Sequence, residues 1–148
     1  MIVYRLAHPK YAQDISGYGS LLVPGRWNFK GNRVLYTAEN SSLAFLEYLA
    51  HTEGLDRRLP YLLVIVDLPD APIETVSLSD LKPTWKDDLF YTRDLGSKWL
   101  STNQSLILKV PSVINEDDCN LLINPQHREF IKVKLITSKE ITFDRRLH

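Results

Sequence analysis

With 148 residues, 44% hydrophobic and 24% charged, the chain is long enough to bury a real core, as one globular domain over 1–148 and not as a coiled coil. Its 18 Lys plus Arg balance 18 Asp plus Glu, so no global field draws it to nucleic acid or to an anionic membrane. The longest apolar run, LPYLLVIVDLP, is far too short to span a bilayer, MIVYRLAHPKY lacks the pattern of a signal peptide, and the lone cysteine excludes an internal disulfide; a cytoplasmic protein is expected.

IVYRLAH begins with the alternation of a strand, and GYGSLLVPGRWN follows as a loop in which Gly17, Gly19, Pro24 and Gly25 interrupt any regular element. NRVLYTA reads as the next strand. Asn40 or Ser41 can cap a helix from about Ser42 to His51, with Gly54 shortly beyond its end. YLLVIVDLP is a continuous run of the kind that strands buried on both faces show, and it ends at Pro69. The segment LSDLKPTWKDDLFYTRDLGSKWLST holds one or two short helices, SLILKVPS is a strand halted by Pro111, and LLINP is a short strand. FIKVKLITSKEITF alternates Ile131, Val133 and Leu135 against Lys132 and Lys134, as a half-exposed strand or hairpin does. The sum is a strand-rich α+β single domain. Strands do not alternate with long helices, and neither GxGxxG nor a P-loop occurs, which disfavours a Rossmann sheet.

Within the helix, LAFLEYLAH sets one carboxylate in an apolar run. Leu43, Ala44, Ala50 and His51 are the helical neighbours of Glu47, and no Lys or Arg shares that face. Such an acid belongs either to a site or to an internal ion pair, for which Arg5, in an apolar strand, is the natural partner. Arg26 in GRWN could hold a diphosphate with bidentate geometry, or simply stack on Trp27. Tyr36 could stack on a flat heteroaromatic ring, although strand aromatics usually belong to the core. Ser105 opens the SLILKVPS strand and Ser112 closes it; without a G-x-S-x-G elbow or a nearby base, such a serine is ordinarily a hydrogen-bonding residue, not a nucleophile. Asn124 and His127, in NPQH, are also costly for their surroundings. His8, His51, His127 and His148 show no paired metal spacing, so no metal site is expected. Cys119 lies among Asp117, Asp118 and Asn120, neighbours that raise a thiol pKa, and reads as a bystander.

The blocks GRWNFKGNRVLYTAENSSLAFLEYLAH, SLILKVPSVI, NLLINPQHREF and FDRRL, in this order and across nearly the whole chain, resemble the RES domain, the toxin half of bacterial toxin–antitoxin pairs. The family's Arg, Glu and Ser fall at Arg26, Glu47 and Ser105, with Ser112 in VPS as a second choice for the serine. The resemblance implies a fold like that of ADP-ribosyltransferase toxins and cleavage of the nicotinamide–ribose bond of NAD, by hydrolysis or phosphorolysis. NAD is then a substrate, and no cofactor is implied. In that role Arg26 holds the diphosphate, Arg5 assists or braces Glu47, Tyr36 packs on nicotinamide, Ser105 positions Glu47 or the ribose, and Asn124 and His127 brace the site. The implied partner is an Xre-like helix-turn-helix antitoxin; direct nucleic-acid binding is not expected, and a homo-oligomer within the complex stays open. Between Asp70 and Lys98 no block of the family is recognised, so no role is carried over to residues there, Trp85 and Tyr91 included. Two alternatives remain at this stage: ADP-ribosyl transfer to a protein, and a non-enzymatic binding module whose Glu47 pairs with Arg5.

Overall fold

A computed structural model describes residues 1–51 and 60–147. Gly54, expected just past a helix end, lies outside the described residues. Seven strands form one sheet: β1 (Ile2–Ala7), β2 (Leu35–Ala38), β3 (Tyr61–Asp67), β4 (Ile73–Thr75), β5 (Ile107–Pro111), β6 (Cys119–Ile123) and β7 (Lys134–Ile141), in the order β4-β5-β6-β2-β1-β3-β7. All neighbours are antiparallel except β4 and β5. Helix α1 (Tyr18–Leu22) is short; α2 (Ser41–His51) and α3 (Leu89–Thr102) are the long ones.

Strand alternation sorts the core between the two faces of the sheet. On one face Val3, Ala7, Leu35, Val64, Val66, Leu121 and Ile123 pack with Ala12, Leu106 and Val133. On the other, Leu6, Ala38 and Leu63 lie under Leu43 and Ala44 of α2, while Leu108, Val110 and Leu122 lie under Trp27, Trp85 and Trp99. The second face therefore carries two covering units side by side, α2 and the Trp27–α3 assembly. Beneath them the seam between β1 and β2 is narrow: Tyr4↔Ala38 is its register pair, whereas β1 and β3 stay paired from Ile2↔Asp67 to Ala7↔Leu62. β3 is buried on both faces as its unbroken apolar run predicts, with Leu63 facing α2 and Val64 and Val66 facing away.

Three segments differ from expectation. The stretch after residue 80 forms a single helix of 14 residues rather than one or two short ones, preceded by 3₁₀ turns at Leu78–Asp80 and Trp85–Asp87. Its fully buried positions are Thr92, Gly96 and Trp99, with Tyr91, Leu95 and Leu100 partly buried against the same core, so small and polar residues share its seat with an apolar row. Asp88 caps its start by accepting the Tyr91 N–H, and Asn103 ends it in the left-handed region. The early loop contains α1. FIKVKLITSKEITF is one strand and no hairpin; it begins only at Lys134, because Arg128–Lys132 coil into a 3₁₀ turn started by His127. Ile131, expected on the inner face, is 87% exposed, while Val133 does enter the core.

Candidate active site

Asn40 settles the start of α2: its Oδ1 accepts the Leu43 N–H at 2.8 Å. One turn later along the helix Glu47 looks across to the ends of β5 and β6. Its Oε1 accepts hydrogen bonds from Ser112 Oγ at 2.8 Å and Asn120 Nδ2 at 2.6 Å, and its Oε2 lies 3.8 Å from Nε2 of exposed His51. The side chain keeps 24% of its surface accessible. One oxygen is thus fixed by the sheet and the other lies toward exposed His51. Ser112 is fully buried, and its Oγ also accepts the N–H groups of Ile114 and Asn115, so its rotamer is set by the turn it starts. Asn120 shares a sheet face with Leu122 and Ala38's neighbour Tyr36, which is why its amide points toward α2.

Arg26 approaches the same carboxylate from the other covering unit. Its guanidinium donates through Nη1 to the Lys86 carbonyl at 2.9 Å. Burial lowers its pKa from the ordinary value; the Glu47 charge opposes this and neighbouring Arg93 adds to it. Lys86, in turn, pairs with Glu116 in the loop that follows Ser112, so one short turn ties the arginine to the serine's loop.

The GRWN loop is held from below and from the side. Tyr36 Oη accepts the Trp27 N–H at 3.0 Å and donates to Asn28 Oδ1 at 2.6 Å; burial pushes its phenol well above the ordinary range. Fully buried Asn28 also accepts the Gly25 N–H and donates to the Ser20 carbonyl. A Cβ at Gly25 would sit 2.6 Å from the Tyr36 ring, so glycine is what allows the loop to lie on it. α3 grips the loop's carbonyls: Arg93 Nε donates to Gly25 O at 2.9 Å, Thr92 Oγ1 to Arg26 O at 2.7 Å, and a Cβ at Gly96 would meet Trp27 O at 1.7 Å.

The structure therefore brings together Glu47, Arg26 and Ser112, with Tyr36 directly beneath the arginine's loop. It does not bring Ser105 to them. Ser105 is buried at the far end of β5, donating to Glu74 Oε2 at 2.6 Å and accepting the Trp99 indole N–H at 2.9 Å, so of the two serines it is Ser112 that reaches the acid. Arg5 does not brace Glu47 either. It alternates with Tyr4 and Leu6, which lie under α2, and its guanidinium donates to the carbonyls of Asp14 at 2.9 Å and Tyr11 at 3.3 Å. Burial lowers its pKa, and Asp14 opposes that. The reading of Glu47 as half of a core ion pair with Arg5 falls with this geometry. Asn124 and His127 are structural braces at a distance: Asn124 donates to Asn103 at the end of α3, and His127 Nδ1 accepts the Glu129 N–H. Burial first, then Glu39, raises the Cys119 thiol pKa; the flanking acid Asp118 is a smaller cause.

Sequence reasoning missed Asn120, Asn28 and Arg93. Asn120 was visible as the polar member of an alternating CNLLI, and Asn28 as part of GRWN itself. Nothing local marks Arg93, since only the fold sets α3 against the loop.

The fold is similar to that of a chain in a solved structure, the MbcT–MbcA toxin–antitoxin complex of M. tuberculosis, with a TM-score of 0.79 at 19% identity over 95% of this chain and 84% of that one. The RES domain matches residues 2–145, and the chain belongs to the RES domain family. It is 37% identical over 149 aligned positions, 99% of both chains, to "Toxin Res" of Pseudomonas putida. It is also 32% identical to the "Prs ADP-ribosylating toxin" of Sphingobium sp., over 92% of this chain and 88% of that one.

Proposed function

We propose that this chain is the toxin of a toxin–antitoxin pair that acts in the cytoplasm by breaking the bond between nicotinamide and ribose in NAD. The observation that carries this reading is a half-buried carboxylate, Glu47, fixed through one oxygen by Ser112 and Asn120 and lying in the field of Arg26, in a chain of the RES family. Cleavage of an N-glycosidic bond passes through an oxocarbenium-like sugar, which a preorganised carboxylate stabilises. Nicotinamide is cationic in NAD, so it departs with the bonding electron pair as a neutral ring and needs no general acid. Water or phosphate then forms the new bond at the anomeric carbon and gives its proton to solvent. In this reading Arg26 holds the diphosphate, Ser112 and Asn120 orient Glu47, and Tyr36 supports the loop that carries Arg26. NAD is the substrate in this scheme, and no further cofactor takes part.

Transfer to a protein breaks the same bond with a side chain as acceptor, and the name of the Sphingobium relative favours keeping it as a second reading. The likeness to one member of a toxin–antitoxin complex supports an antitoxin as partner here too, of the Xre-like helix-turn-helix kind. The zero net charge leaves any operator binding to that partner.

The test is incubation of purified protein with NAD, with and without phosphate, and chromatography of the products. Nicotinamide is expected with ADP-ribose, or with ADP-ribose-1″-phosphate when phosphate is present; a labelled protein band in a lysate selects transfer. A folded protein that releases no nicotinamide under any of these conditions overturns the reading.

A further inference from the structure

Arg93 has no place in the scheme so far except as a tether for the Gly25 carbonyl. Its setting is unusual for a mere tether. Arg93 binds the short loop that carries Arg26, at the carbonyl of the preceding residue, and its charge is felt at Arg26, while both charges are felt at Tyr36. Among the described residues each guanidinium makes one hydrogen bond, to a backbone carbonyl, and neither has a carboxylate within 4 Å. Glu47 and Asp87 act on Arg26 only from beyond ion-pair distance. A guanidinium has five N–H donors, so four remain on each for another acceptor. Two like charges held side by side without a close counter-ion repel one another, and that arrangement is relieved when an anion with several oxygens is shared between them.

We propose that Arg93 is a second substrate-binding guanidinium, which with Arg26 forms a two-arginine clamp for the diphosphate of a dinucleotide. This rests on the NAD reading above and adds α3 to the site. In this division of labour Arg26, on which the Glu47 charge acts, holds the phosphate next to the reacting ribose, while Arg93, anchored through Nε, presents its Nη groups to the outer phosphate. Arg suits both places because its planar fork takes two oxygens at once, while an ammonium at the outer phosphate still supplies most of the electrostatic attraction. It also gives a purpose to the grip of Thr92 and Gly96 on the loop, since the spacing between the two guanidinium groups is set by how α3 lies on Gly25, Arg26 and Trp27.

The test compares wild type, Arg93→Ala and Arg93→Lys in NAD turnover and in binding of ADP, the probe for the diphosphate. For Arg93→Ala the KM for NAD and the Kd for ADP rise about tenfold, the usual effect of one charge-assisted hydrogen bond, while kcat changes less than about threefold. Arg93→Lys keeps the charge but loses the planar donor to Gly25, and ADP affinity returns to within about threefold of wild type. A residue that only pins the loop gives a different pattern: Lys, which cannot replace the planar donor to Gly25, is as damaging as Ala to ADP affinity, and kcat falls in both variants. That result overturns the clamp, as does a wild type that binds no ADP at millimolar concentration. A wild type that binds ADP but does not cleave NAD removes the reaction and leaves the ADP arm to decide on Arg93.

Discussion

The two ends of β5 carry the same pair of groups and put them to different uses. At the start of the strand buried Ser105 donates to Glu74, and at its close buried Ser112 donates to Glu47. Glu74 sits on the exposed edge strand β4, and the serine it meets is shared with the Trp99 indole, so this end is a closed fastening between sheet edge and α3. Glu47 receives a second donor from Asn120, keeps an oxygen free of sheet contacts, and lies in the field of Arg26. A serine–glutamate bond is thus not a site in itself; what makes one is the cation and the solvent access left on the acid's other side.

Replacing each acid by its amide breaks this comparison most sharply. Glu47→Gln is expected to lower kcat for NAD cleavage about 100- to 1,000-fold, the ordinary cost of removing a preorganised charge, with the melting temperature little changed. Glu74→Gln leaves kcat where it was. Exchanging the serines gives the next largest effect. Ser112→Ala frees the Glu47 carboxylate to swing and lowers turnover about 10- to 100-fold. Ser105→Ala instead strips a buried indole N–H of its acceptor and costs about 1–3 kcal/mol of stability, read by denaturant unfolding, with kcat intact. The smallest effect sharpens the picture locally. Cys119 pairs with Pro111 at the Ser112 end, and its thiol pKa is raised, chiefly by burial, so its thiolate fraction at neutral pH is low. Alkylation by iodoacetamide at pH 7 is expected to be slow against a free thiol, and equally slow in Ser112→Ala; fast labelling in that variant alone would mean the end of β5 had opened and its lost activity was structural.

Much of this arrangement could be read from the chain. The α2 helix, its cap and the isolated acid followed from local pattern, as did the doubly buried β3. The sheet order was not legible, because it depends on pairings between residues far apart in the chain, such as Ile2 with Asp67 and Tyr36 with Leu122. The choice between Ser105 and Ser112 hangs on that order. Both are buried and both are bonded to a glutamate, and only the position of α2 over the β1–β2 seam says which end of β5 faces Glu47. Arg5 misled for a related reason: a buried cation calls for a partner, and two backbone carbonyls supplied it where a carboxylate was expected. The role of α3 was hidden because Tyr91, Leu95, Trp99 and Leu100 mark only that it packs on the core, while its grip on the GRWN loop is made by Thr92, Arg93 and Gly96, which carry no apolar signal.

The most direct measurement of the central claim is a crystal structure of Glu47→Gln with NAD bound, since the amide preserves the fold while stalling the reaction. The nicotinamide ribose is expected against Gln at position 47, beside Ser112 and Asn120, with the diphosphate toward Arg26. NAD lodged near Ser105 and Glu74, or no NAD bound at millimolar concentration, would contradict the account.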